Sequence, residues 1–223
     1  MPTKKAPSKP GSTAPASAPA GQPITATTRA VLLGHRGAII WLTGLSGSGK
    51  STLAVALEQK LFDANILPVV LDGDVLRTGL SRGLGFSDAD RKENIRRAAE
   101  AALLLAEAGA VVVTALISPF RDDRQHIIDR SKARGVAFAE VFVNAPLAEC
   151  ERRDPKQLYQ RARAGQIPAF TGIDSPYEAP LAPTLELRTD RENVEQSLEK
   201  LTALALNLAR PSGITAGVQA AKR

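Results

Sequence analysis

The sequence of 223 residues is poor in the residues that build several kinds of site. It contains one cysteine, Cys150, and two histidines, His35 and His126, so neither an intramolecular disulfide nor a Cys/His zinc site can form. A single cysteine is typical of a reducing compartment, and we expect a cytoplasmic protein. Aromatic residues make up only 4% of the chain, which disfavours a nucleic-acid surface built on base stacking.

A long hydrophobic segment is also missing. The longest apolar run, residues 108–117, is interrupted by Gly109 and Thr114 and has about half of the roughly 20 residues that a membrane helix needs. The N-terminal region has no apolar segment of the secretory-signal type. We therefore expect no membrane partner.

Acidic residues are absent from the first 36 positions, and this asymmetry explains the formal net charge of +6. The basic residues at the two ends of the chain are Lys4, Lys5, Lys9, Arg29, Arg36, Lys222 and Arg223. The remainder of the chain is nearly neutral, so we expect no specific nucleic-acid partner. Loose, salt-dependent binding of polyanions by the basic ends is the alternative.

The composition changes along the chain. Residues 1–30 hold six of the fifteen prolines among many Ala, Ser and Thr residues, which predicts a disordered tail because so little apolar surface can be buried. A targeting segment is the alternative, although the stretch has little Arg and no amphipathic period. Residues 31–210 are predicted to form one domain, and residues 211–223 a flexible C-terminal tail.

Short apolar runs alternate with helical patterns from residue 38 onward. The runs are 38–42, 68–71, 110–115, 137–143 and 185–187, and most are continuously apolar, as in strands buried on both faces. Helices are predicted at 50–64, 88–108, 121–133, 147–153 and 192–208. This alternation predicts an α/β fold, with a parallel sheet of about five strands covered by helices on both faces.

Residues 154–183 interrupt the alternation. The segment contains five prolines and no sustained apolar period. A connection of this length within a compact domain is usually functional, so we predict a lid over a site. A solvent-exposed insertion is the alternative.

The strongest motif is Gly44-Leu45-Ser46-Gly47-Ser48-Gly49-Lys50-Ser51, a phosphate-binding loop of the form G-x-x-x-x-G-K-[ST]. It follows a predicted strand and opens a predicted helix, so backbone N–H groups and the helix N-terminus can bind phosphates. Lys50 is expected to reach the β- and γ-phosphates and Ser51 to hold Mg²⁺, with Thr52 completing the ATP-binding segment. The fold is therefore expected to be P-loop NTPase-like. A ligand-free turn is the alternative that this context disfavours.

Phosphoryl transfer also needs a carboxylate near the metal, normally at the end of a neighbouring strand. Asp72 and Asp74 follow the predicted strand at 68–71. We favour Asp74 as both metal ligand and catalytic residue, because it opens the segment that leads to Arg77. A turn or helix cap is the alternative for a strand-end Asp.

A group of polar and aromatic residues follows Asp74 in the chain. Arg91 and Asn94 are spaced to share one edge of a helix, and Arg77 and Phe86 precede them. Guanidinium groups suit phosphate or sulfate oxygens, and Phe86 suits a planar ring, so we predict an anionic substrate with such a ring. A solvated face is the alternative, which we prefer for Lys92, Arg96 and Arg97.

These residues belong to a wider resemblance. In order and spacing the chain is similar to adenylylsulfate kinases from about residue 29 to 208. The similar segments are Leu71-Asp72-Gly73-Asp74, Gly79-Leu80, Leu84-Gly85-Phe86-Ser87, Asp90-Arg91-Lys92-Glu93-Asn94-Ile95-Arg96-Arg97, Ile117-Ser118-Pro119-Phe120-Arg121, Arg153-Asp154-Pro155-Lys156 and Phe170-Thr171-Gly172-Ile173-Asp174-Ser175-Pro176-Tyr177-Glu178-Ala179-Pro180.

The resemblance implies transfer of the ATP γ-phosphoryl group to the ribose 3′-hydroxyl of adenosine 5′-phosphosulfate. Asp74 then resembles the group that orients or deprotonates this hydroxyl, and Arg77, Arg91 and Asn94 resemble nucleotide-binding residues. Phe86 and Phe170 resemble an adenine sandwich. The other residues that it implies are Ile117 and Ser118 as substrate contacts, Lys156 in the lid and Arg153 near the ATP adenine.

Three further implications concern chemistry and partners. Ser118 matches a serine assigned as a phospho-intermediate, although direct in-line transfer requires no covalent step. A homodimer and an ATP sulfurylase partner are also implied. Departures from the family pattern are Val75 in place of Asn, Gln157 in place of Gly, and Pro168-Ala169 where a basic residue precedes the lid Phe.

Two other functions compete with this one. A related kinase of a sugar or nucleoside would share the phosphate loop, but the two Phe residues and paired Arg residues favour an anionic purine nucleotide. A catalytically inactive binding module would be expected to have lost Lys50, Ser51 or Asp74, and all are present.

Overall fold

The computed structural model describes residues 23–211, which form eight helices and five strands. The strands are β1 (Ala38–Thr43), β2 (Pro68–Asp72), β3 (Val111–Ala115), β4 (Ala137–Asn144) and β5 (Leu185–Arg188). The helices are α1 (Ala26–Leu33), α2 (Lys50–Asp63), α3 (Gly73–Thr78), α4 (Asp88–Glu107), α5 (Arg121–Ala133), α6 (Leu147–Arg153), α7 (Leu158–Arg163) and α8 (Val194–Ala209).

The strands form one parallel sheet in the order β2-β3-β1-β4-β5. All six residues of β1 are buried, because it lies at the centre with β3 and β4 on either side. The predicted α/β fold and the five predicted strands are confirmed. Since every strand runs the same way, the carboxyl ends of β1, β2 and β3 meet at one edge of the sheet.

Alternate residues of β1 enter two different cores. Ile40 packs on the face covered by α2 and α8, whereas Ile39 and Trp41 pack on the face covered by α4 and α5. Leu57 and Leu103 are fully buried on these two faces. Each such side chain stabilises the fold by about 1.5–3 kcal/mol. The sheet is thus a rigid support for the loops at its carboxyl edge.

Local signals fix several helix ends. Ser87 caps α4 and accepts a hydrogen bond from the backbone of Asp90, as its Ser-x-x-Asp pattern predicts. α8 begins at Val194 behind a capping box of Asn193 and Gln196. The helices α1, α3 and α7 were not predicted, because eight, six and six residues are too few for a clear helical period.

The segment 154–183 is folded against the domain. Tyr159 and Ala162 of α7 pack with Phe170 and with Cys150 of α6 in a third apolar cluster. A short bridge between Thr171 and Ser175 shapes the loop that follows. The segment therefore has its own small core, and its role as a lid remains a prediction.

The N-terminal tail predicted for residues 1–30 overlaps α1, which begins at Ala26. Thr25 caps α1, Ala30 is buried, and Leu33 contacts Gly109, where an added Cβ would lie 2.4 Å from Leu33 Cδ1. The ordered domain therefore extends to residues assigned to the tail. The rest of that prediction, for residues 1–22, and the prediction for 212–223 lie outside the described residues.

Within residues 23–211, none of the helices has the length and apolar character to cross a membrane.

Candidate active site

A cavity of about 990 Å³ opens at the carboxyl edge of the sheet. Its walls come from the phosphate loop, the ends of β2 and β3, α4, the segment 154–183 and the start of α8. The residues predicted to bind ATP or the substrate line this cavity together, although they lie far apart in the sequence. The exceptions are Gly44, Leu45 and Ser48 of the phosphate loop, which are not among its lining residues.

The phosphate loop has the backbone conformation that its glycines permit. Gly44 and Gly49 have φ of 150° and 103°, and a Cβ at Gly44 would lie 2.3 Å from the carbonyl oxygen of Val143. Lys50 lies across the loop, where its Nζ donates to the carbonyl oxygens of Gly44 and Leu45 at 2.9 and 2.7 Å. Burial lowers the Lys50 pKa to about 8. A bound phosphate would stabilise the charged form of Lys50, so this lysine is suited to bind an anion.

Ser51 faces Asp72 at the end of β2. Ser51 Oγ donates to Asp72 Oδ2 at 2.6 Å, and Asp72 Oδ1 accepts from the backbone N–H of Asp74 at 2.9 Å. Asp72 is thus both the N-cap of α3 and the carboxylate beside the serine that is predicted to hold Mg²⁺. This geometry favours Asp72 over Asp74, our sequence-based choice for the carboxylate near the metal.

Asp74 lies one residue into α3, on the other side of this turn. Its carboxylate is exposed and pairs with Lys156 Nζ from the segment 154–183. The contact joins the predicted catalytic carboxylate to the predicted lid. Asp74 therefore lines the cavity, whereas Asp72 accepts the hydrogen bond of the Ser51 hydroxyl.

Arg77 and Phe86 form one surface of the cavity. The Arg77 guanidinium carbon lies 4.3 Å from the centre of the Phe86 ring, and Nη1 donates to the Gly85 carbonyl at 2.9 Å. The Phe86 ring remains 60% exposed. A ring with this exposure can receive a planar ligand.

Arg91 connects this surface to the segment 154–183. Its Nε donates to the Phe86 carbonyl at 2.8 Å, and its terminal nitrogens contact Thr171 Oγ1 and the Ala169 carbonyl. Phe170 lies between those two partners and packs edge-on against Tyr159, with 5.1 Å between ring centroids. Phe86 and Phe170 thus line the same cavity, and their action as an adenine sandwich stays a prediction.

Asn94 lines the cavity from α4. Its side chain is 5% exposed, and its Oδ1 lacks a hydrogen-bond partner among the described residues. A buried acceptor without a partner is energetically unfavourable. Asn94 is therefore suited to accept a hydrogen bond from a bound nucleotide, as its predicted role requires.

Residues 117–119, which we call the β3 wall, close the cavity beside Asp72. Ile117 and Ser118 both line it, as predicted. The Ser118 side chain, however, is buried, and its Oγ accepts from Trp41 Nε1 at 2.9 Å. A hydroxyl held in this way is poorly placed to attack a phosphate. The geometry therefore argues against the phospho-intermediate that the resemblance implied.

Arg153 lies at the opposite end of the cavity. Its Nη2 donates to the Thr189 carbonyl at 2.5 Å, and its Nε pairs with Glu149 at 2.8 Å. Arg153 Nη1 also approaches the Gly47 carbonyl at 3.4 Å. Arg153 thus connects the phosphate loop to the loop after β5, where the start of α8 completes the cavity.

Comparisons with known proteins show the family of this chain. The adenylylsulphate kinase family model matches residues 36–188. The chain belongs to the adenylylsulfate kinase family. A probable adenylyl-sulfate kinase of Halalkalibacterium halodurans is 56% identical over 169 residues, which cover 74% of this chain and 81% of the relative.

Solved adenylylsulfate kinases have similar structures. The APS kinase of Mycobacterium tuberculosis in complex with AMPPNP and APS is 51% identical, with a TM-score of 0.72, over 76% of this chain and 98% of that one. A hexameric APS kinase from Thiobacillus denitrificans is 29% identical, with a TM-score of 0.59, over 78% of this chain and 29% of that one. A gluconokinase from Sinorhizobium meliloti, 18% identical with a TM-score of 0.52 over 78% of this chain and 93% of that one, shares the fold.

Two residues that support this adenylylsulfate kinase site were missed from the sequence. Thr189 follows β5, and its Oγ1 donates to the Ser48 carbonyl at 2.8 Å. Arg124 of α5 is buried behind the β3 wall. Neither belongs to a recognisable motif, and the only available signal was the place of Thr189 at a strand end.

The departures from the family pattern lie in the segment 154–183 and in α3. Gln157, which replaces a Gly, has a left-handed φ of 54°, and Ala169 has φ of 52°. A side chain in this region is strained by about 1–2 kcal/mol. Val75 is exposed beside Asp74 and makes no contact that explains the change.

Proposed function

We propose that the residues of this cavity transfer the γ-phosphoryl group of ATP directly to the ribose 3′-hydroxyl of adenosine 5′-phosphosulfate. ATP-dependent phosphorylation of adenosine 5′-phosphosulfate in sulfate assimilation is the reaction of the family, and the chain is a kinase of this kind. The products are 3′-phosphoadenosine 5′-phosphosulfate and ADP. The relative solved with AMPPNP and APS supports the assignment of both ligands.

The cavity has two halves, a donor half and an acceptor half, because its residues follow two different strands. The phosphate loop with Lys50 lies at the end of β1, whereas Asp74, Arg77 and Phe86 lie beyond the end of β2. Because β3 separates these strands in the sheet, the β3 wall lies where the two halves meet. A phosphoryl group on the loop would therefore face an acceptor on the α3 side.

The donor half holds the phosphates of ATP. Residues 44–52 supply backbone N–H groups and the N-terminus of α2, and the Lys50 ammonium neutralises phosphate charge. Arg153 contacts the Thr189 carbonyl near the start of α8, which supports a contact between Arg153 and the adenine end of ATP. Loss of the Lys50 charge should therefore weaken ATP binding and slow transfer.

The residues beside the phosphate loop fit Mg²⁺. Ser51 Oγ and the Asp72 carboxylate are hard oxygen donors in mutual contact, and Mg²⁺ is usually bound by one or two carboxylates together with nucleotide phosphates. We assign Ser51 and Asp72 as the groups that hold it, in place of the predicted Ser51 and Asp74. The ion supplies charge neutralisation at the phosphates.

The acceptor half positions the 3′-hydroxyl. Arg77 and Arg91 neutralise the phosphosulfate, Phe86 and Phe170 hold the adenine ring, and Asn94 accepts a hydrogen bond from the nucleotide. The 3′-oxygen attacks the γ-phosphorus, the bond from that phosphorus to the bridging oxygen breaks, and the hydroxyl proton passes to Asp74. Lys156 contacts Asp74 Oδ2, so Asp74 Oδ1 is the oxygen that would accept this proton.

We further propose a homodimer in the cytoplasm that works with an ATP sulfurylase, which supplies the acceptor. The hexameric relative supports self-association in the family. Size measurement in solution distinguishes the monomer, dimer and hexamer.

An assay of ADP release tests the function. Protein with ATP and Mg²⁺ should release ADP in proportion to added adenosine 5′-phosphosulfate, and ³¹P NMR should locate the new phosphate at the 3′ position. Equal turnover with gluconate, shikimate or adenosine would overturn the proposal. The Lys50→Met variant is the control for ADP released by contaminating enzymes.

A further inference from the structure

Arg124 is a buried arginine with all three guanidinium nitrogens engaged. It is 2% exposed, and its Nε donates to Glu140 Oε1 of β4 at 2.7 Å. Its Nη1 donates to the Ser118 carbonyl at 2.5 Å, and its Nη2 to the Glu178 carbonyl at 2.6 Å. An ion pair with Glu140 alone would not require this three-way arrangement.

The first of these carbonyls belongs to the β3 wall. Ser118 has φ of 46°, a left-handed conformation that a side chain rarely adopts. Its carbonyl accepts from Arg124 and also from Thr43 Oγ1 at 3.4 Å, while its hydroxyl accepts from Trp41. Strained backbone of this kind persists only where its surroundings hold it. Arg124 is thus one of the groups that fix the wall.

The second carbonyl belongs to residues 177–179, near the end of the predicted lid segment 154–183. We call these three residues the lid return. The Glu178 backbone N–H donates to the Pro119 carbonyl at 2.9 Å, so the lid return lies directly on the β3 wall. Tyr177 Oη shares a hydrogen bond with Thr43 Oγ1 at 2.9 Å. Thr43 precedes the phosphate loop, so one network joins the wall, the lid return and β1.

We propose that Arg124 is a positioning residue for the acceptor nucleotide. It holds the β3 wall and the lid return at a fixed separation, so that both are in place before the nucleotide binds. Arg124 makes no direct contact with the phosphate loop, which Lys50, Thr189 and Arg153 hold, so the donor half should depend on it less than the acceptor half does. The inference rests on the proposed function, because it names adenosine 5′-phosphosulfate as the acceptor.

The test compares Arg124→Lys with Glu140→Gln. Lysine keeps the charge but cannot bond three partners in fixed directions, whereas the amide oxygen introduced by Glu140→Gln could still accept from Arg124 Nε and leave the other two bonds intact. Steady-state kinetics should show that Arg124→Lys raises the KM for adenosine 5′-phosphosulfate by about tenfold or more, as expected for lost charged hydrogen bonds. The KM for ATP should stay within about twofold of wild type.

The Glu140→Gln variant distinguishes an effect of Arg124 on acceptor binding from an effect on the stability of the fold. It should lower the melting temperature as Arg124→Lys does, because both disturb a buried pair, yet keep the acceptor KM within about twofold. If both variants raise both KM values equally, or if Arg124→Lys raises neither, Arg124 has only a structural role. Wild-type turnover on adenosine 5′-phosphosulfate tests the proposed function separately.

A double variant keeps the test valid if Arg124→Lys does not fold. Arg124→Met with Glu140→Leu removes both charges, and a buried ion pair replaced by apolar residues often retains stability. It also lacks the bonds to Ser118 and Glu178. The acceptor KM should rise in this folded variant while the ATP KM does not, and an unchanged acceptor KM would overturn the inference.

Discussion

The hydroxyl of Ser51 donates a hydrogen bond to Asp72 Oδ2 at 2.6 Å. The same carboxylate caps α3 through the backbone N–H of Asp74. One side chain therefore fixes the turn after β2 and stands beside the phosphate loop, while Asp74 is displaced towards the acceptor half. We therefore propose different tasks for these two carboxylates, which are only two residues apart.

Substitution of these two aspartates should have distinguishable effects. Asp74→Asn should lower kcat by about 10²–10⁴-fold, the usual contribution of a general base, while binding of both nucleotides is retained. Asp72→Asn should raise the Mg²⁺ concentration needed for half-maximal rate. Kinetics over a Mg²⁺ series, with nucleotide binding measured by calorimetry, check both variants. If Asp74→Asn instead raised the Mg²⁺ requirement and Asp72→Asn lowered kcat, Asp74 would be the metal ligand.

Ser118→Ala should retain turnover, and no phosphoserine should be found by mass spectrometry after incubation with ATP. The hydroxyl is buried against Trp41, so its removal leaves the indole N–H without an acceptor. We expect a loss of about 1–3 kcal/mol in the free energy of unfolding. Because Trp41 is the single tryptophan, its fluorescence reports the change. An inactive but folded variant would support a covalent role.

The N-terminal boundary can be tested by truncation. Removal of residues 1–22 should leave kcat, KM and melting temperature unchanged. Removal of residues 1–33 should lower the free energy of unfolding by about 1–3 kcal/mol, because α1 buries Ala30 and contacts Gly109 through Leu33. Denaturant titration checks stability. A kinetic change after the shorter truncation would mean that the tail reaches the active site.

The parts of the structure that could be predicted are those with a repeating or local signal. β1 is fully buried and is continuously apolar up to Leu42, and Ser87 caps α4 within its own turn, so neighbouring residues carry the information. The phosphate loop is likewise contiguous. The parts that could not be predicted depend on where separate segments meet.

Two residues illustrate this limit. The choice between Asp72 and Asp74 depends on the turn at Gly73, because the residue that ends β2 also caps α3. Arg124 follows Asp122 and Asp123 in a strongly charged helix, so the sequence indicates a solvated position. Only the packing of α5 on β4 and on the lid return explains why it is buried.

The buried charge of Lys50 gives a prediction for the dependence of stability on pH. Burial lowers its pKa in the folded protein to about 8 from the ordinary value of 10.5, so the unfolded chain binds more protons between these values. The contribution of Lys50 to the free energy of unfolding is therefore lowest below pH 8 and rises as the pH increases towards 10.5. The full change corresponds to about 3 kcal/mol.

Comparison with Lys50→Met isolates this effect from other titrating groups. The difference in unfolding free energy between wild type and variant should shift by about 2–3 kcal/mol in favour of wild type from about pH 7 to 10, and stay constant below about pH 7. The exposed Lys60 on the same helix supplies the matched control, Lys60→Met. Saturating ATP should flatten the wild-type profile, because phosphate stabilises the charged lysine. A difference independent of pH would show that Lys50 keeps its ordinary pKa when buried.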